Sequence, residues 1–175
     1  MKKIYMVKAL ILFTLTVLLL TGCTFFFGVD MSLSDIEEVE LREGLEQANA
    51  LGAVEAIYSS LEEYSAKRLD SAAIQAIVGI YPYEIAEAHA YYSDPKFTLA
   101  DVIIIRPSST ERDEVRRKLL LYRESRVREF ENYDILNSHR IARDALIYDQ
   151  GDYVILLMLE DTETARAIID GYIPQ

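Results

Sequence analysis

Three hydrophobic patterns succeed one another along the chain. The first is an unbroken apolar block, Ala9 to Leu20 (ALILFTLTVLLL), interrupted only by two threonines. The second has helical spacing. Ile36, Val39, Leu45, Ala48 and Leu51 recur every three to four residues, with Glu37, Glu38, Glu40, Glu43 and Glu46 on the other side. Ser34 and Glu37 have capping-box spacing and predict where that helix starts. Gly52 breaks or weakens the run, which resumes through Val54, Ile57, Tyr58 and Leu61 and is expected to end at Lys67 and Arg68. Asp70 or Ser71 caps a short helix through Ala72, Ile74, Ile77 and Val78, closed by Gly79, and Tyr81-Pro82 prevents its continuation.

The third pattern is that of strands. Glu84 to Tyr92 alternates Ile85, Glu87, His89 and Tyr91 against Ala86, Ala88, Ala90 and Tyr92, and is read as a strand despite its alanines. Asp101 to Arg106 (DVIIIR) is a buried strand, its β-branched residues stopped by Pro107. Ser108, Ser109 and Thr110 offer caps for a long helix from Glu111 to about Phe130, striped by Val115, Leu119, Tyr122, Val127 and Phe130. Ala145 to Tyr148 and Asp152 to Glu160 form two strands joined by a tight turn at Gln150-Gly151, and Thr162 to Tyr172 closes the chain as a helix. The predicted class is α+β: N-terminal helices, then a mostly antiparallel or mixed four-stranded sheet, with a long helix between strands two and three and a C-terminal helix.

The N-terminal block acquires meaning from its flanks. Lys2, Lys3 and Lys8 precede it and Leu20-Thr21-Gly22-Cys23 follows it. This resembles the bacterial lipobox, in which Leu20, Thr21 and Gly22 present the bond before Cys23 to a dedicated peptidase and the Cys23 thiol carries a diacylglycerol thioether. Cys23 is the single cysteine, so no intramolecular disulfide forms. The competing reading is an uncleaved membrane helix, since the apolar stretch extended through Phe25, Phe26 and Phe27 reaches about 20 residues. The expected organisation is a signal peptide over 1–22, a lipidated tether over 23–33, a helical part over 34–80 and an α+β part of the same domain over 81–175. The residues from Cys23 to Ser34 span no more than about 40 Å, which keeps the domain beside its membrane.

Charge narrows the partners. The chain has 18 Lys and Arg against 29 Asp and Glu, a net charge of -11, and loss of the three signal lysines leaves 15 against 29, or -14. Such a surface repels phosphate backbones, so no nucleic acid is expected. The basic residues of the long helix are interleaved with acids, as on a salt-bridged solvent face. Neither G-x-S-x-G, H-E-x-x-H, G-x-G-x-x-G nor G-x-x-x-x-G-K-[ST] occurs. No cofactor, metal or catalytic residue is assigned. His89 reads as a packed or half-exposed strand residue and His139 as a loop histidine.

From about Leu61 to Ile173 the chain resembles a family of small Gram-positive bacterial lipoproteins known as a domain of unknown function. The likeness rests on Gly79-Ile80-Tyr81, Ala100-Asp101-Val102-Ile103, the helix Glu111 to Phe130, and Gly151-Asp152-Tyr153-Val154-Ile155. Arg106-Pro107 and Pro82 depart from its pattern. The resemblance implies location and architecture, with no catalytic residues to carry over. The expectation is a lipid-anchored protein on the extracytoplasmic face of the cell membrane, a non-enzymatic module for an envelope protein or small ligand. The alternative is an envelope hydrolase that cuts peptidoglycan or glycan with a carboxylate pair.

Overall fold

A computed structural model describes residues 48–61, 65–93, 98–132 and 134–175. The expected signal segment, Leu20, Thr21, Gly22, Cys23, the tether and most of the acidic helix after Ser34 lie outside the described residues.

The elements in order are α1 (Ala50–Ser60), β1 (Ala66–Leu69), α2 (Ser71–Val78), a 3-10 turn (Pro82–Glu84), β2 (Ile85–Ser93), β3 (Asp101–Pro107), α3 (Arg112–Phe130), α4 (Ser138–Arg143), β4 (Leu146–Gln150), β5 (Tyr153–Met158) and α5 (Thr162–Asp170). The strands form one antiparallel sheet in the order β1-β2-β3-β5-β4. Helices cover both of its faces. Ile103, Ile105, Val154, Leu156 and Met158 pack with α2, α3 and α4, whereas Val102, Ile104, Ile155 and Leu157 pack with α1 and α5. The strand period of two divides a continuous apolar run between two cores, which explains why β3 and β5 lack polar alternation.

Local chemistry sets several boundaries as the sequence predicts. The Asp70 carboxylate accepts from Ala73 N at 2.8 Å, and Gly79, at φ 80°, ends α2 in the left-handed region that glycine enters without cost. Asp161, not singled out from the sequence, caps α5 through Thr164 N. Gly52 does not interrupt α1, and its missing side chain has a packing reason. A Cβ there would lie 2.9 Å from the Tyr172 ring and closer still to Asn49.

Other expectations are corrected. The sheet has five strands rather than four, because Ala66–Leu69 pairs with β2 instead of ending a helix. Lys67 and Arg68 are exposed on this edge strand, where charge discourages pairing with another chain. The long helix consequently falls between β3 and β4. His139 is helical, on α4 rather than in a loop, its N–H donated to Asp134. The serines before α3 do not cap it: Ser108 donates its hydroxyl to Tyr83 O and its N–H to Glu84 O. Lys118 and Arg126 are buried, not part of the solvent face of α3.

β2 contains a bulge between Ile85 and Glu87. Simple alternation puts Ile85 and Glu87 on one face. The extra residue, Ala86, reverses that relation, so Ile85 packs against the α2–α3 core while Glu87 turns to the other side.

Candidate functional site

At the end of the sheet where β2 begins and β3 ends, the register lines up Glu87 with Arg106, and Gln150 with Tyr153. Glu87, Arg106 and Tyr153 come together in a cleft of about 520 Å³, lined also by Asp152, Pro174 and Gln175. The walls are anchored by backbone capture. Gln150 Nε2 donates to Ile173 O at 2.6 Å, and Asn49 N donates to Tyr172 O at 2.9 Å, fixing the C-terminal segment against the hairpin and α1. Arg112 donates to Gly151 O at 3.3 Å and Arg116 pairs with Asp149 at 2.5 Å, which ties the β4–β5 turn to α3.

Glu87 is the centre of the site. Its Oε1 lies 2.9 Å from His89 Nε2, while Oε2 accepts from the Tyr153 hydroxyl at 2.9 Å and from Arg106 Nε at 3.2 Å. Partial burial works to raise the Glu87 pKa, but the bonds from His89, Tyr153 and Arg106 prevail and hold the carboxyl below its usual range. Tyr153 moves the opposite way, pushed up to about 12 by burial and by its bond to the carboxylate. The pair therefore remains carboxylate and phenol through the ordinary pH range. Arg106, with 45% of its side chain exposed, is the cationic group that this arrangement presents to solvent.

This chemistry suits recognition. A carboxylate with three donors on it is a poor proton donor, and Asp152 on the same cleft is 86% exposed, without the apolar surroundings that keep a catalytic acid protonated. His89 is buried and bound to Glu87 instead of to a nucleophile. The Ser138 hydroxyl beside His139 is committed to Ile135 O at 2.5 Å. Among the described residues, no group of three or more His, Cys, Asp and Glu is placed to hold a metal, and no helix is long and apolar enough to cross a membrane.

Glu87, Arg106 and Tyr153 do not stand out as a site in the sequence. Their local signals are a carboxylate between two alanines of β2, a cation closing DVIIIR, and the tyrosine after Gly151-Asp152. Only strand order makes these three one group.

Residues 59–159 match a family described as a domain of unknown function, DUF4358. No curated protein and no solved structure matches the chain.

Proposed function

Taking as premise that the chain belongs to the DUF4358 family of domains of unknown function, we propose that it is a lipid-anchored binding module of the bacterial cell envelope, without catalytic activity. The observation that carries the binding reading is the Glu87 carboxylate, held ionised by His89, Arg106 and Tyr153 at a cleft of small-molecule size. A polar group fixed by three neighbours orients a ligand at little cost in side-chain entropy, while it has no proton to give. The ligand class is a small polar molecule that pairs with Arg106.

Anchoring rests on the apolar run before Leu20-Thr21-Gly22-Cys23. Two acyl chains on Cys23, at about 0.8 kcal/mol per buried methylene, hold a protein at a bilayer where one chain does not. Cleavage before Cys23 places the domain outside the cytoplasm, beside an envelope protein or small ligand. The hydrolase reading draws on Glu87 and Asp152 sharing one cleft.

Two measurements test the proposal. Mass spectrometry of the membrane-purified protein is expected to find a chain beginning at acylated Cys23, and Cys23→Ala to abolish both acylation and cleavage. An unmodified Cys23 removes the anchor. Assays of the full chain on peptidoglycan, simple esters and phosphoesters are expected to show no turnover. Sustained turnover that vanishes in Glu87→Gln would replace the binding module with the hydrolase.

A further inference from the structure

We propose that the Tyr81-Pro82-Tyr83-Glu84 turn is a platform for a neutral oligosaccharide, on a surface separate from the Glu87 cleft and independent of lipid anchoring. The rings of Tyr81 and Tyr83 stack with centroids 5.7 Å apart and planes 10° from parallel. Both face solvent, at 43% and 69% exposure.

The turn beneath them is unusually well fixed. Pro82 opens the 3-10 turn with a preset φ. Glu84, 1% exposed, accepts the Tyr81 N–H at 2.6 Å and takes Lys118 Nζ on both carboxylate oxygens, at 2.6 and 2.7 Å. Ser108 binds Tyr83 O, and Lys118 Nζ also lies 4.4 Å from the Tyr81 ring centroid. Desolvating two charges is costly, and here the ion pair holds a surface turn whose own rings point outward. Rigid, exposed aromatic area of this kind is what recognition surfaces use.

The surroundings select the ligand class. A groove of about 520 Å³ runs beside the rings, lined by Tyr81, Tyr83, Glu111, Glu114, Arg117 and Leu121. Its charges are largely paired within the protein. Glu84 holds Lys118, and Glu114 receives Arg117 through two bonds of 2.8 and 2.5 Å. An anionic ligand finds the groove's cations already engaged, and Glu111, whose Oε1 takes the Thr110 hydroxyl at 2.9 Å, adds a carboxylate for a sugar hydroxyl. An apolar peptide would have to strip water from those ion pairs without replacing its hydrogen bonds. A pyranose ring fits both features, its C–H face on the more exposed Tyr83 ring, Tyr81 being engaged by Tyr83 and Lys118, and its hydroxyls on the planar carboxylate and guanidinium groups.

The test uses the full chain in a polyoxyethylene detergent, which lacks sugar headgroups, titrated with chitotetraose, cellotetraose and maltotetraose by calorimetry. At least one is expected to bind saturably. Tyr83→Ala is expected to weaken it about tenfold, the loss of one aromatic stacking partner, with the melting temperature unchanged. Tyr83→Phe should stay near wild type, and so should Arg106→Ala, which alters only the Glu87 cleft. The proposal is overturned if none of the three sugars binds, if Tyr83→Ala binds them as tightly as wild type, or if a proline-rich peptide shows the Tyr83 dependence and the sugars do not.

Discussion

Arg126 Nε lies 3.1 Å from Asp101 Oδ2, an ion pair whose side chains are 2% and 0% exposed. It joins α3 to the first residue of β3. Asp101 also accepts from Ser93 N, from the Ser93 hydroxyl and from the Tyr122 hydroxyl, at 2.7, 2.6 and 2.8 Å. The guanidinium is held between the Tyr92 and Phe130 rings, at 4.6 and 5.0 Å. One carboxylate thus fastens the end of β2, the start of β3 and the middle of α3.

Breaking that pair from one side should be more damaging than removing both charges. Arg126→Met leaves a buried carboxylate and is expected to cost about 3 to 5 kcal/mol. The double variant Asp101→Asn, Arg126→Met should recover part of the loss. Urea unfolding of both proteins checks this, and a double variant no more stable than Arg126→Met would contradict it.

Core truncation gives a second measurement. Ile104 and Leu156 are fully buried on opposite faces of the sheet. Ile104→Ala and Leu156→Ala should each cost about 2 to 5 kcal/mol, and because the sites lie in different layers their effects should add. Unchanged thermal melts would disprove the two-core arrangement.

Glu87 makes stability depend on pH in a defined direction. Its folded-state pKa lies below the ordinary value, as its hydrogen bonds outweigh partial burial. Its contribution is therefore present above the unfolded carboxylate range and is lost as pH falls through the folded value, from about pH 4.5 downward. Glu87→Gln is expected to show a shallower acid decline in melting temperature than wild type between pH 6 and 3. Parallel curves would mean that the bonds from His89, Arg106 and Tyr153 do not favour the charged form.

Gly52 offers a packing test. Alanine normally strengthens a helix relative to glycine by about 1 kcal/mol. Here the new methyl meets the Tyr172 ring and Asn49, the α1 cap, so Gly52→Ala is expected to lower the melting temperature. Restoration in Gly52→Ala, Tyr172→Ala would identify the ring as the obstacle.

The sequence by itself determined whatever depends on near neighbours. Asp70 and Gly79 bound α2 because a cap and a left-handed terminus are chemistries of a few adjacent residues. The β-branched run of β3, the stripe of α3 and the β4–β5 hairpin likewise follow from local period and turn propensity. What tertiary structure decided is which elements meet. β1 became a strand because the edge of β2 was available to it, overriding the helical reading of Lys67 and Arg68. The Ala86 bulge reversed the expected faces of Ile85 and Glu87, and strand order then brought Glu87, Arg106 and Tyr153 into one cleft from positions up to 66 residues apart. Lys118 and Arg126 carry the same charges as their helix neighbours, and they were drawn inward because Glu84 and Asp101 are buried where α3 crosses the sheet. Local chemistry sets propensity over a turn or two of chain, whereas burial and ion pairing depend on distances that exist only after the chain has folded.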